Sequence, residues 1–155
     1  MSEPKIYTPP FGVAEICEIL PHRWPFMLVD RIVEVGEKSI VGIKAVTNTE
    51  WFFPGHFPGN PVMPGVLQLE AMAQTGAVRT LMKPESRGMI AVLAGVDDAR
   101  FRRMVRPGDL LRIEIEEISI RRTIGKVRGR CLVDGQLTSE ATITYMVVSP
   151  DKQNG

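Results

Sequence analysis

The chain has 155 residues, 44% of them hydrophobic, and a formal net charge of +1. This length suits a single domain over residues 1–155 with its own core, and the near-neutral balance offers no bulk attraction to nucleic acid. No apolar run is long enough to span a bilayer, and the start, MSEPKIYTPP, lacks the layout of a secretory signal. Cys17 and Cys131 stand far apart without CxxC spacing, so they read as reduced thiols of a cytoplasmic chain, although one disulfide stays open.

Residues 1–10 read as extended and loose, and 149–155 as a frayed polar tail. From Phe11 to Leu20, Val13, Ile16, Cys17 and Leu20 fall at helical spacing, and Pro21 ends the pattern. The proline-aromatic loop PHRWPF follows, with His22 read as a hydrogen-bonded loop residue. Met27 to Val35 and Ser39 to Val46 read as hairpin strands about the turn Gly36-Glu37-Lys38.

Trp51 to Gly65 is crowded with prolines and glycines, which exclude a regular helix or a central strand. Trp51, Phe52, Phe53 and Phe57 run through this loop, so it should pack rather than wave in solvent, and His56 sits in its middle. Val66 to Met82 then reads as a helix that is apolar almost all round, which belongs in an interior. It carries one carboxylate, Glu70. A carboxylate there is costly unless it is paired, protonated or useful.

After the connector Lys83 to Gly88, Met89 to Val96 reads as a strand covered on both faces. Leu111, Ile113 and Ile115 alternate with charged residues, marking a strand with one wet face. Ile120 to Val133 reads as one long strand, Asp134-Gly135 as a two-residue hairpin turn, and Gln136 to Val148 as the last strand. The sum is an α+β fold: a curled antiparallel sheet of about six strands wrapped round one long helix. Its open edges call for a homo-oligomer.

His56 titrates near neutrality and suits a general base or acid. Glu70 in apolar surroundings is expected to hold its proton more tightly than an exposed carboxylate and so to donate it. The free N–H groups of Gly65 and Val66 at the helix start suit a carbonyl oxygen that gains charge. Phe57, Met63 and Gln74 would line the pocket. Together these parts fit β-elimination of water, and equally hydrolysis by an activated water. Two histidines without HxxxH or CxxC partners point away from a metal, and no GxGxxG or P-loop suggests a nucleotide.

The segments PHRWPFMLVDRI at 21–32, WFFPGHFPGNPVMPGVLQLEAMAQ at 51–74 and ARFRRMVRPGD at 99–109 resemble the FabZ-type 3-hydroxyacyl-[acyl-carrier-protein] dehydratases of type II fatty-acid synthesis. The resemblance covers the chain from about Phe11 to Val148 and implies the hot-dog fold. It implies a homodimer, assembled as a trimer of dimers, in which His56 of one subunit works with Glu70 of the other. His56 would take the α-proton, Glu70 would protonate the departing hydroxyl, and the Gly65 amide, with Val66, would hold the thioester carbonyl. It implies no cofactor. The related dehydratase-isomerases carry Asp where Glu70 stands, so Glu70 favours the plain dehydratase; Trp24 departs from a frequent Tyr. The partner would be acyl carrier protein, an acidic domain, for which Arg100, Arg102, Arg103 and Arg106 are docking candidates, with Arg121 and Arg122 a second basic pair. A hot-dog thioesterase and a non-enzymatic acyl-thioester binding module are the competing readings.

Overall fold

The computed structural model describes residues 3–152. Its elements are β1 (Phe11–Gly12), α1 (Val13–Ile19), β2 (Arg31–Val35), β3 (Ser39–Ala45), α2 (Gly65–Leu81), β4 (Ile90–Phe101), β5 (Leu110–Arg121), β6 (Ile124–Val133) and β7 (Gln136–Val148), with short 3-10 turns at Pro84–Ser86 and Pro150–Lys152. The strands form one seven-stranded sheet in the order β1-β2-β3-β5-β6-β7-β4, every pair antiparallel. The sheet curls round α2, which is the hot-dog layout.

α2 is interior because most of its circumference is apolar or small: Leu67, Ala71, Met72, Ala77, Val78 and Leu81 are all buried. The sheet comes close to it where a side chain is missing. A Cβ on Gly129 would lie 2.8 Å from Met72 Sδ, so the bare backbone of β6 leaves room for the Met72 side chain in the middle of the helix. At the far end of α2, Arg79 pairs with Glu117 of β5 and donates to the Glu37 carbonyl.

Several expected boundaries move, each for a local reason. The expected helix Phe11–Leu20 begins at Val13, because Phe11 buries its ring in the core and pairs with Ile32 as β1. This short strand raises the count from six to seven. The strand expected from Met27 begins at Arg31, since the Leu28 amide donates to the Gln74 side chain instead of to a ladder partner. The single strand expected over Ile120–Val133 is broken by a turn at Arg122, whose φ is 55°. The Asp134-Gly135 hairpin turn forms as expected, both residues having positive φ.

The strand expected at Met89–Val96 runs on to Phe101 and is not covered on both faces: it is the sheet's last strand, and Val92, Leu93 and Val96 are exposed. The expected loose N-terminus is also corrected from Tyr7 onward. Its ring is buried, its hydroxyl donates to the Glu18 carboxylate at 2.9 Å, and the Arg87 guanidinium lies over it at 5.0 Å. Residues 1–2 of that segment and 153–155 of the expected tail lie outside the described residues. No helix among the described residues is long and apolar enough to cross a membrane.

Candidate active site

The loop that carries His56 is held from several sides. Phe52 and Phe53 are buried and meet edge to face at 4.7 Å. Lys44 of β3 pairs with Glu50 at 2.8 Å, fixing the loop's entry. Trp51 Nε1 donates to the Pro25 carbonyl at 3.1 Å, tying the two proline-aromatic loops together. The Met63 amide donates to the Val105 carbonyl at 2.8 Å, and Arg106 reaches Asn60 Oδ1 at 2.8 Å.

The His56 ring stacks on Phe57 at 4.0 Å, and its Nδ1 lies 2.6 Å from the Val62 carbonyl oxygen. A carbonyl only accepts, so Nδ1 carries the proton and Nε2 keeps a lone pair for a base. His56 lines a cleft of about 490 Å³ with Met63, Gly65, Val66, Phe101, Arg102 and Arg103. The helix ladder begins with the Leu67 and Gln68 amides, both donating to the Pro64 carbonyl. The amides of Gly65 and Val66 precede that ladder and are the first donors of α2, where partial positive charge gathers. Gly65 lets the Phe101 ring lie close, since a Cβ there would come within 2.7 Å of that ring and push it aside.

Glu70 does not line this cleft. It lines a second, narrow slot with His22, Ala73, Gln74, Ala77, Ala91, Leu93 and Tyr145. Gln74 organises that end. Its Nε2 donates to Glu70 Oε1 and to the Phe26 carbonyl, each at 2.8 Å, while its oxygen accepts from the Leu28 amide at 2.8 Å. The carboxylate is therefore aimed by a buried amide whose own partners are backbone groups. It is not sealed: its side chain keeps 20% of its surface open.

The pocket-lining residues therefore divide. Met63 belongs to the His56 cleft and Gln74 to the Glu70 slot, while Phe57 stacks on His56 and is half exposed outside both. Of the arginines, Arg102 and Arg103 stand at the rim of the His56 cleft, with Arg102 also paired to Glu140 at 2.9 Å. Arg106 braces the His56 loop, and Arg100 lies in a separate depression with Arg102 and Arg128. Cys131 is fully buried, and burial pushes its thiol up to about 12, so it is core and not a nucleophile. Among the described residues both cysteines are free, and no group of three or more metal-ligating side chains gathers.

The residue that sequence reasoning undervalued is His22. Its Nε2 lies 3.5 Å from Glu70 Oε1, and its Nδ1 is buried with no partner among the described residues. The available signal was its place in a second proline-aromatic loop; its acidic neighbour is distant in sequence. Burial holds its pKa below the ordinary 6.5, against the opposing pull of Glu70 and with a smaller push from Arg23. The unfolded chain therefore binds this proton first as pH falls. Stability contributed by neutral His22 is present above 6.5 and is lost as pH falls toward the lower folded value. Urea unfolding across that range is expected to show a shallower acid loss in His22→Gln than in the wild type.

A curled antiparallel sheet wrapped round one helix, with a loop histidine feeding that helix and a carboxylate on it, is a hot-dog protein. The profile of the FabA-like domain matches residues 20–142. The chain is 59% identical over 133 residues to the 3-hydroxyacyl-[acyl-carrier-protein] dehydratase FabZ of Desulforamulus reducens, covering 85% of this chain and 94% of that one. It is 54% identical over 139 residues to the same enzyme of Thermomicrobium roseum, covering 88% and 93%. The dehydratase heterocomplex ApeI:P of Xenorhabdus doucetiae shares the fold, with a TM-score of 0.75, 19% identity, and 88% and 91% of the two chains covered. The chain belongs to the FabZ-type 3-hydroxyacyl-[acyl-carrier-protein] dehydratase family.

Proposed function

We infer that this protein is a hydro-lyase that converts (3R)-3-hydroxyacyl-[acyl-carrier-protein] to the trans-2-enoyl thioester in fatty-acid biosynthesis. The observation that carries the reading is the 59% identity to a FabZ dehydratase along almost its whole length. The site agrees in kind: a base with a free Nε2, first-turn amide donors and an aimed carboxyl group are what β-elimination requires.

In the proposed cycle the thioester carbonyl accepts from the Gly65 amide, with Val66 beside it. His56 Nε2 takes the α-proton. The electron pair of that C–H bond forms the double bond as the β C–O bond breaks, and Glu70 gives the departing hydroxyl its proton, so water leaves. Proton return from His56 to Glu70 closes the cycle, and no step calls for a cofactor.

His56 and Glu70 line separate cavities of one chain, which supports a site completed by a second copy: His56 of one subunit facing the partner subunit's Glu70. The exposed apolar side chains of β4 support the same dimer. A trimer of such dimers is the assembly we propose, on the family resemblance. The whole of residues 1–155 would act as one hot-dog unit in the cytoplasm, where the free thiols of Cys17 and Cys131 are at home. Acyl carrier protein would dock at the rim of the His56 cleft, where Arg102 and Arg103 stand, with Arg100 and Arg106 as the further candidates.

The test is hydration of a carrier-bound trans-2-enoyl thioester, with enoyl absorbance and free thiol followed together. Loss of absorbance without thiol is expected. Thiol release would make the protein a thioesterase, and a folded protein giving neither signal would leave a binding module.

A further inference from the structure

We propose that the side-chain amide of Gln68 is a second donor, beside the Gly65 amide, to the thioester carbonyl of the substrate; the proposal rests on the dehydratase reading. Gln68 stands near the head of α2, three residues after Gly65, and that spacing puts both on one helix face. Long side chains on a helix lean over the turn that precedes them, so Gln68 leans toward the free amides at the start of α2. Both residues line the His56 cleft. The walls around them, Val62, Met63, Val66 and Phe101, are apolar, and the arginines stand at the rim. Gln68 is the one uncharged polar side chain in that lining among the described residues.

The two ends of this amide are held differently. Gln68 is buried, and its Oε1 accepts from Ser139 Oγ at 2.7 Å. Thr138 Oγ1 lies 3.4 Å from the same oxygen but gives its proton to the Cys131 carbonyl at 3.0 Å. Ser139 is itself fully buried, and its strand is paired on both sides, with Phe101 of β4 and Cys131 of β6 opposite it. The hold on Oε1 is therefore rigid. Nε2 has no partner among the described residues, and unlike His22 Nδ1, Arg79 Nε and Arg87 Nε it is not sealed. An amide pinned by its oxygen presents a fixed N–H donor to the cleft. A carbonyl oxygen has two lone pairs, and the Gly65 amide takes one. As His56 Nε2 takes the α-proton, negative charge gathers on that oxygen. Donors fixed in advance among apolar walls stabilise this charge without having to reorganise.

Two readings test the donor. The first is kcat and KM for a carrier-bound 3-hydroxyacyl thioester. Gln68→Glu keeps the acceptor that Ser139 holds but replaces the N–H donor with oxygen, and Gln68→Met removes both polar atoms at similar length. Each is expected to lower kcat by about 10²-fold with little change in KM, as loss of one such donor does. The second needs no turnover. In a His56→Ala background, a bound trans-2-enoyl-pantetheine thioester should absorb at longer wavelength than in water, because donors to its carbonyl polarise the conjugated system. Adding Gln68→Met is expected to shrink that shift. Gln68→Asn, which draws the amide back by one methylene, should shrink it too and serves if the other variants fail to fold. An undiminished shift in the folded variants would overturn the assignment whatever kcat does, since a kcat loss alone would then mark a structural role. A wild type that shifts the absorbance but eliminates no water would sink the dehydratase reading and leave the donor to be judged by the shift.

Discussion

His56→Ala and Glu70→Gln are each expected to lower kcat by about 10²- to 10⁴-fold while leaving the fold intact. The reason is local for both. His56 is placed by its loop and by Nδ1–H donation to Val62, so its removal takes away the base without touching the core. Glu70→Gln keeps the size of the side chain but removes the carboxyl proton. The informative step is to mix the two inactive proteins. If each site takes His56 from one subunit and Glu70 from its partner, random exchange makes half the dimers mixed, with one of their two sites whole. Co-refolded samples should then recover roughly a quarter of wild-type activity, as two-fold symmetry requires. No recovery in samples whose exchange is verified by mass would place both groups of each site in one chain.

The second large effect is on stability. Arg79 keeps 10% of its side-chain surface exposed and Glu117 keeps 17%, so neither is well hydrated. Arg79→Ala is expected to cost about 3 kcal/mol, because it strands a partly buried carboxylate and leaves the Glu37 carbonyl without this donor. Replacing both partners, Arg79→Met with Glu117→Leu, should return most of that loss, since a desolvated ion pair gains little over a well-packed apolar pair. Urea unfolding at one fixed protein concentration reads both. Equal losses in the single and double variants would mean that the pair is strongly net stabilising.

Much of the fold could be read from the sequence because the signals were local. α2 followed from a long apolar run after Pro64, and the β6–β7 turn from Asp134-Gly135, where positive φ is chemically announced. The β5–β6 turn gave no such notice, because Arg122 adopts a positive φ without being glycine, asparagine or aspartate. The early end of β2 on its N-terminal side was hidden for a different reason: the Leu28 amide is taken by a side chain of α2, a contact that no local pattern encodes. The same is true of the site. His56 and Glu70 stood out as charged or titratable groups in apolar surroundings. Their separation into two cavities, and the approach of His22 to Glu70, depend on how distant segments pack.

β4 departs from its regular pairing with β7 twice, between Leu93 and Gly95 and between Asp97 and Arg100, with Asp98 at φ 52°. Bulges of this kind bend a strand and increase its twist. The outer rim of the sheet is therefore shaped rather than straight. A passing straight strand from an unrelated or misfolded chain would meet that rim in register for only a few residues before the bends throw it off. The irregularities thus work as a guard on the backbone: they make the bare rim a poor template for runaway stacking.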